Sequence, residues 1–272
     1  MLRGQLYDFS SPRVMAIVNV TPDSFYGGSR LTDRDAVTRR VEQALAEGAD
    51  MLDLGGYSSR PGAAEVTPEQ EYSRLALGLE IVRRIAPQAV VSIDTFRADV
   101  AERCVREWGA DIVNDISGGL LDPRMPSVCG ELQVPVVVMH MRGTPATMQQ
   151  LTDYNDPLAD TLSELARRVQ AFRECGVADV IIDPGFGFAK TTEQNYAIMR
   201  GLPEFEIFQA PLLVGISRKS MIYKPLGITP EQALNGTTAL NMIALQGGAD
   251  ILRVHDVKEA VETVKIFKLL NP

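Results

Sequence analysis

The sequence contains few cysteines, few aromatic residues and no excess of basic residues. Its 272 residues include three cysteines, one tryptophan and two histidines. Cys104, Cys129 and Cys175 form no C-x-x-C pair, so neither a zinc site nor a disulfide framework is indicated, and reduced buried thiols are the simplest interpretation. The 35 acidic and 27 basic residues give a net charge of −8. This acidic balance argues against general binding to nucleic acid, and we expect no nucleic-acid partner.

Long apolar runs are also missing. No run approaches the roughly 20 residues that span a bilayer. The run at 210–216 is among the longest, and the first residues contain no apolar stretch of signal-peptide length. We therefore expect a cytoplasmic protein without a membrane partner. The content of 45% hydrophobic and 23% charged residues is typical of a folded protein with a substantial core.

Eight short apolar runs, rich in β-branched residues, are spread along the whole chain. They are continuously apolar instead of alternating, which is typical of strands buried on both faces of a parallel sheet. The runs are 14–20, 51–54, 90–93, 111–113, 136–139, 180–182, 212–216 and 251–254.

Stretches with helical periodicity separate these runs. Two helix starts are legible, because residues 67–70 and 229–232 both read Thr-Pro-Glu-Gln, with a Thr N-cap and Pro at the first helical position. A short joint of glycine followed by aspartate precedes several runs, and a left-handed glycine there can end a helix. The joints begin at Gly48, Gly109, Gly176 and Gly248. Eight strand–helix units without a linker predict a single (β/α)8 (TIM) barrel domain over residues 1–272.

Polar residues stand at or just after the carboxyl end of nearly every predicted strand. In a (β/α)8 barrel these ends share one rim, where active sites lie. The residues are Asn19, Asp53, Asp94, Asn114, Asp115, His140, Asp183, Ser217, Lys219, Arg253 and His255. A single aspartate after a strand is often only a turn residue, but such a succession predicts an active site at the rim.

One chemical subset consists of Asp94, Asn114 and Asp183, which offer acceptors and an amide from three strands. Together they can read a flat heterocycle with several N–H donors, such as a 2-amino-4-oxopyrimidine ring. The alternative is a structural network that ties the barrel mouth together.

A second subset is cationic and suits a diphosphate: Arg60, Lys219, Arg253 and His255. Surface salt bridges are the alternative for its two arginines. His140 stands between two methionines and remains unassigned, since it can equally be a hydrogen-bonded core histidine.

Three loops rich in glycine, proline and hydroxyl residues each follow a strand, at 21–28, 55–62 and 183–188. Such loops can close over a substrate and exclude water. Phe25, Phe186 and Phe188 are then predicted to line a slot for an aromatic ring, with simple packing as the alternative.

Taken in order, these strand-end motifs resemble those of the dihydropteroate synthase family. The matching segments are 19–25, 55–63, 93–95, 113–116, 139–141, 183–188, 215–220 and 253–256. One such motif would be weak evidence, but all of them in family order cover essentially the whole chain. The resemblance implies a Mg²⁺-dependent transferase of folate biosynthesis. It would join 6-hydroxymethyl-7,8-dihydropterin diphosphate to p-aminobenzoate and release diphosphate.

The resemblance also implies a role for each matched residue. Those that would hold the pterin are Asp94, Asn114, Asp183 and Lys219. Those that would hold the diphosphate are Ser59, Arg253 and His255. Those that would border the p-aminobenzoate slot, where sulfonamides compete in this family, are Arg60, Pro61, Phe188 and Ser220. Asn19 would be the protein ligand of Mg²⁺, which otherwise binds waters and phosphate oxygens.

Four of these residues are expected to be catalytic: Asp94, Lys219, Arg253 and His255. The first loop contains Asp23, Ser24 and Phe25, with Asp23 as an electrostatic contributor. We expect a dissociative substitution, in which the bond from the methylene carbon to the diphosphate oxygen breaks first because the electron-rich pterin stabilises the cation. The family also implies a homodimer.

The sequence departs from the commonest family pattern at a few loop positions. Tyr57 replaces a frequent acidic residue, Ser59 replaces threonine, and Ala189 replaces glycine. Two other functions remain open at this point. One is a pterin-dependent methyltransferase with a corrinoid partner, which has no need of a diphosphate cluster. The other is a pterin-binding barrel without catalysis.

Overall fold

Eight parallel strands form a barrel in the computed structural model, which describes residues 2–20, 30–57 and 66–271. The strands are β1 (Arg13–Asn19), β2 (Met51–Gly55), β3 (Val90–Asp94), β4 (Ile112–Asp115), β5 (Val136–Met139), β6 (Val180–Asp183), β7 (Leu213–Val214) and β8 (Ile251–Val254). They pair in the order β6-β5-β4-β3-β2-β1-β8-β7, and a parallel bridge from Ile182 to Leu212 joins the ends. The predicted (β/α)8 barrel is confirmed.

Helices surround the strands and bury their apolar faces against the outside of the barrel. Those in the described residues are α1 (Arg30–Ala46), α2 (Pro68–Ile85), α3 (Ala98–Trp108), α4 (Met125–Leu132), α5 (Pro157–Glu174), α6 (Thr192–Arg200), α7 (Ser220–Leu226), α8 (Leu234–Gln246) and α9 (Val257–Leu270). The main core therefore lies between strands and helices, where outward strand residues such as Leu52 and Leu54 are fully buried. No helix among the described residues is long and apolar enough to cross a membrane.

The inside of the barrel has an apolar layer below a polar one. The apolar layer is a separate cluster formed by Met15, Met51, Ile112, Val137, Ile181, Leu213 and Ile251. Because side chains alternate along a strand, the residues two positions further on face the same interior. In four strands those residues are Asp53, Asn114, Asp183 and Arg253. The strand period therefore places a ring of polar groups directly above the apolar layer.

The glycine–aspartate joints have a repeated structural role. All four glycines have positive φ, with values of 95° at Gly48, 63° at Gly109, 87° at Gly176 and 93° at Gly248. In three joints the aspartate Oδ2 accepts, at 2.8 Å, the N–H at the start of the preceding strand: Asp50 from Val14, Asp111 from Val91 and Asp250 from Leu212. Each joint therefore ends a helix and satisfies a backbone donor of the neighbouring strand.

Two predicted elements are present but differ in detail. The strand predicted over 212–216 is only two residues long, from Leu213 to Val214. As predicted, Pro230 is the first helical residue after Thr229, and Gln232 Oε1 accepts the Thr229 N–H at 3.1 Å. This first turn is 3₁₀, however, and α8 begins only at Leu234. Arg218 Nη1 donates to the carbonyls of Pro230 and Glu231, at 3.2 and 2.8 Å, from outside the helix. The same motif at 67–70 does start α2, as predicted.

The joint at Asp250 provides a test of this strand-capping role. Asp250→Ala removes the acceptor of the Leu212 N–H, and we expect the free energy of unfolding to fall by about 1–2 kcal/mol. Asp250→Asn keeps an oxygen at this position and is expected to lose less than about 1 kcal/mol. Urea unfolding of both variants makes the comparison. Equal losses would show that the hydrogen bond is not what the joint contributes.

Candidate active site

The centre of the barrel mouth is the Arg253 guanidinium, which lies between two carboxylates. Its Nε donates to Asp53 Oδ2 at 2.7 Å, and its Nη2 donates to Asp94 Oδ2 at 2.7 Å. Asn114 Nδ2 also donates to Asp53 Oδ2, at 3.0 Å. Residues of β2, β3, β4 and β8 are thereby joined in one network. The predicted heterocycle-binding and diphosphate-binding subsets therefore meet at Arg253.

Burial dominates the electrostatics of this network. It raises the pKa of Asp94 to about 7, with Asp53 adding to the effect and Arg253 opposing it. Burial also raises the pKa of Asp183, while Lys219 opposes the rise. Asp53 Oδ1 is buried without a hydrogen-bond partner among the described residues. The mouth therefore offers acceptors whose charge is only partly compensated, which suits a ligand that brings N–H donors.

Lys219 reaches the same space from the other side of the mouth. Its Nζ donates to the Phe186 carbonyl at 2.6 Å and lies 4.9 Å from the centre of the Phe188 ring. A Cβ placed on Gly215 would lie 4.0 Å from Lys219 Nζ and 3.7 Å from Arg253 Cβ, so this inward glycine leaves the space between the two cations open. Burial lowers the pKa of Lys219 to about 8, against the effect of Asp183.

His255 follows β8 and is oriented by Ser217. Ser217 Oγ accepts the backbone N–H of His255 at 3.1 Å and lies 3.1 Å from Nδ1 of the same residue. The hydroxyl can donate to Nδ1 in the tautomer that carries the ring proton on Nε2, and this tautomer leaves Nε2–H free for a ligand. Burial, with Arg253 nearby, lowers the pKa of His255 to about 4. The imidazole is therefore a neutral donor at pH 7.

Three other predicted residues occupy the rim. Asn19 ends β1 with an exposed side chain, and its Oδ1 lies 3.6 Å from the position that a Cβ on Gly55 would take. Phe188 is half-buried beside Lys219, and Ser220 begins α7. The predicted residues Asp23, Ser24, Phe25, Ser59, Arg60 and Pro61 lie outside the described residues.

The prediction that Phe186 lines the aromatic slot is wrong. Its ring is fully buried in the core between strands and helices, and only its carbonyl faces Lys219. Gly185 and Gly187, both with positive φ, turn the loop so that Phe186 and Phe188 point in different directions. Periodicity could not predict this, because each glycine changes the side-chain direction that a regular strand or helix would fix.

Comparison with known proteins identifies the family to which this fold and site belong. The model of the family described as pterin binding enzyme matches residues 15–255. Dihydropteroate synthase of Escherichia coli is 40% identical over 271 residues, which cover 98% of this chain and 94% of that protein. The chain belongs to the dihydropteroate synthase family.

Solved structures of this family have the same fold. Dihydropteroate synthase of Xanthomonas albilineans with 4-aminobenzoic acid matches with a TM-score of 0.89 and 38% identity, covering 98% of this chain and 96% of that one. The enzyme of Clostridium difficile in the presence of pteroic acid matches with a TM-score of 0.90 and 33% identity, covering 97% and 99%.

Asp53 is the member of the network to which the family motifs assign no role. Its position in the middle of β2, two residues after the interior residue Met51, was the available signal. His140 is buried and hydrogen-bonded, as one of its two interpretations held. Its partners Lys190 and Glu164 carry no strand-end signal, because Lys190 lies beyond a loop and Glu164 lies on α5.

Both histidines predict a loss of stability in acid. Burial is the main cause that lowers the pKa of His140 to about 3, and the pKa of His255 is also below its ordinary value near 6.5. Below pH 6.5 the unfolded chain binds protons at these histidines that the native state does not bind. The free energy of unfolding therefore decreases as the pH is lowered. Between pH 7 and 5, His140→Gln should lose about 2 kcal/mol less than the parent in urea unfolding. Equal losses would contradict a neutral buried His140.

A second prediction concerns Asp53. Asp53→Asn keeps the size of the side chain but leaves Arg253 with one carboxylate partner, Asp94. We expect the free energy of unfolding to fall by about 3 kcal/mol. We also expect kcat/KM for dihydropteroate formation to fall at least about tenfold, because an amide oxygen holds Arg253 and Asn114 less firmly than the carboxylate does. Steady-state assays and urea unfolding provide both numbers. Unchanged kinetics would reduce Asp53 to a purely structural residue.

Proposed function

We propose that this protein joins 6-hydroxymethyl-7,8-dihydropterin diphosphate to p-aminobenzoate, forming 7,8-dihydropteroate and diphosphate. The observation that carries the proposal is the convergence of buried and half-buried acceptors and cations at the barrel mouth. The converging residues are Asp94, Asn114, Asp183, Lys219 and Arg253. The relatives support it, since those compared carry this enzyme's name, and one was solved with 4-aminobenzoic acid and another with pteroic acid.

The pterin is recognised by hydrogen bonds at the base of the mouth. Asp94 and Asp183 accept from ring N–H groups, and Asn114 adds an amide whose orientation is fixed by its bond to Asp53. Because these groups are buried, a ring that lacks the matching donors leaves them unsatisfied and is rejected. Lys219 donates to the carbonyl side of the ring, opposite the carboxylates.

The first chemical event is departure of diphosphate. The bond from the methylene carbon to the diphosphate oxygen breaks, and its electron pair leaves with the oxygen. Arg253 and the Nε2–H of His255 bind the developing charge, while Asp94 stabilises the cation left on the pterin. Arg253 changes partner in this step, because the pterin donors occupy Asp94 and release Nη2 for the diphosphate.

The amine of p-aminobenzoate then attacks the methylene carbon. A new C–N bond forms, and the nitrogen loses one proton to solvent. The amine is neutral at pH 7, so the site has to orient it more than deprotonate it. Phe188 and Ser220 border its slot from the loops after β6 and β7. Water has to be excluded at this stage, because it would otherwise capture the cation as the alcohol.

The residues at the mouth fit a magnesium ion bound mainly by the substrate. Asn19 offers an exposed amide oxygen at the end of β1, beside the space that Gly55 leaves open. Among the described residues, no three His, Cys, Asp or Glu side chains form a metal-binding group. Mg²⁺ retains waters and takes phosphate oxygens, and it would neutralise charge on the departing diphosphate.

We also propose a homodimer and a cytoplasmic location. Large apolar side chains are exposed on the last three helices, including Leu226, Ile243, Ile266 and Leu269, and a second copy would cover them. Cys104 and Cys129 are free and buried, as suits a reducing compartment.

The proposed activity is tested with the purified protein, Mg²⁺ and the dihydropterin diphosphate, with and without p-aminobenzoate. We expect 7,8-dihydropteroate and diphosphate in equal amounts only with all components, since the amine must capture the cation. Binding of the pterin without dihydropteroate formation would contradict the proposal and indicate a barrel without catalysis.

The same assay tests Asn19. Asn19→Ala should raise the Mg²⁺ concentration for half-maximal rate by about tenfold while p-aminobenzoate KM changes little. An unchanged Mg²⁺ dependence would remove Asn19 from the metal site.

A further inference from the structure

A buried polar cluster beside the mouth has no part in the reaction as proposed above. It consists of Lys190, His140, Glu164 and Arg142, and we call it the Lys190 cluster. Lys190 and His140 are 4% and 0% exposed. Lys190 Nζ donates to the carbonyls of Gly185 and Phe188, at 2.9 and 3.0 Å, and lies 2.9 Å from His140 Nδ1. A lysine this deeply buried needs a reason, since desolvating its charge is costly.

The hydrogen-bond pattern fixes the charge of each member. Glu164 is a carboxylate, because hydrogen bonds from His140 and Arg142 lower its pKa to about 2 despite burial. His140 Nε2 lies 3.0 Å from Glu164 Oε2 and must therefore carry the ring proton, which leaves Nδ1 as an acceptor. Lys190 thus faces three acceptors. Burial lowers its pKa, but only the ammonium, with three N–H donors, satisfies all three.

The segment that Lys190 holds is the loop over residues 184–189. A Cβ on Gly185 would lie 1.9 Å from the His140 carbonyl, so the loop lies directly against the end of β5. Ala189 adopts φ 52°, which is unfavourable for a residue with a side chain, and its carbonyl accepts from Tyr154 Oη at 2.9 Å. A loop in this conformation needs external ties to persist.

The same loop provides two contacts to the active site. The Phe186 carbonyl accepts from Lys219 at 2.6 Å, and the Phe188 ring lies 4.9 Å from the same ammonium. Both groups lie within residues 185–188. Lys190 binds the carbonyls at the two ends of this segment, those of Gly185 and Phe188. Movement of Lys190 would therefore displace Phe188 and free Lys219 without altering β3 or β4.

We propose that Lys190, oriented by His140 and Glu164, is a positioning residue for dihydropteroate formation. It clamps the 184–189 loop so that Phe188 borders the p-aminobenzoate slot and the Phe186 carbonyl directs Lys219 into the mouth. The inference rests on the proposed function, since it assigns this loop to the amine slot.

The test is Lys190→Met, which preserves length and removes all three donors. We expect KM for p-aminobenzoate to rise at least about tenfold, because Phe188 is no longer held in place. The Kd of 6-hydroxymethylpterin, measured by titration calorimetry, should rise by only about threefold, because Lys219 depends on this loop whereas Asp94 and Asn114 stand on other strands. This difference between the two ligands is not expected from a general loss of stability.

Asp111→Ala is the matched control, because Asp111 is a buried charge at the opposite end of the barrel. It binds Arg3, Arg83 and the Val91 N–H. We expect it to lower Tm while KM for p-aminobenzoate stays within about twofold of the parent. His140→Gln should raise KM for p-aminobenzoate at least about threefold. In the double variant, His140→Gln should raise the KM of Lys190→Met by less than about a further twofold, because His140 acts only through its contact with Lys190 Nζ.

Each outcome decides between the two proposals. A parent protein that makes no dihydropteroate contradicts the proposed function itself. An active parent with an unchanged KM in Lys190→Met, or an equal rise in Asp111→Ala, overturns the positioning role. If Lys190→Met does not fold, His140→Gln provides the same test, and an unchanged KM there overturns it.

Discussion

The site depends on one largely buried interaction, the contact of the Arg253 guanidinium with both Asp53 and Asp94. Two carboxylates inside a barrel require a cation, and Arg253 supplies it at 2.7 Å to each. Replacing such a buried ion pair by apolar residues is often neutral or stabilising. Stability alone therefore does not explain why Asp53, Asn114 and Arg253 stand where apolar side chains would complete the core. A polar ligand that exchanges partners with this network does explain it.

Residues at the two ends of the barrel have different roles. At the amino end, aspartates such as Asp50 and Asp250 satisfy backbone donors, and an apolar layer fills the interior. At the carboxyl end, two residues with side chains adopt positive φ in loops that border the mouth, Ala189 at 52° and Arg218 at 56°. Arg218 is held by a bidentate ion pair with Asp256, at 2.9 and 2.7 Å, so the loops after β7 and β8 are tied together. Rigid ties of this kind preorganise a site.

The sequence predicted the regular part of the molecule and less of the irregular part. All eight strands agree with the structure to within two residues at each end, because continuous apolar runs define them. The network residues Asp94, Asn114 and Arg253 were predicted from strand ends. Asp53 was predicted only as one of the polar residues at the strand ends, and no role was assigned to it. Identifying its partner Arg253 requires the strand order of the barrel, in which only β1 separates β2 from β8.

Loops and side-chain contacts from helices could not be predicted in the same way. The burial of the Phe186 ring follows from two left-handed glycines, and the role of Lys190 follows from carbonyls that no motif identifies. The helix start predicted at Pro230 is present, but its first turn is 3₁₀, and Arg218 binds two of its carbonyls. In each case a tertiary contact decided between local alternatives that are equally compatible with the sequence.

The central claim is that the Arg253 network is the floor of the pterin site. A crystal structure of the protein with pteroic acid and diphosphate tests it most directly. The account predicts the pterin ring against Asp94, Asn114 and Asp183, with Arg253 Nη2 moved from Asp94 to the diphosphate. A pterin bound elsewhere, or a network unchanged beneath it with Arg253 still on Asp94, would contradict the account.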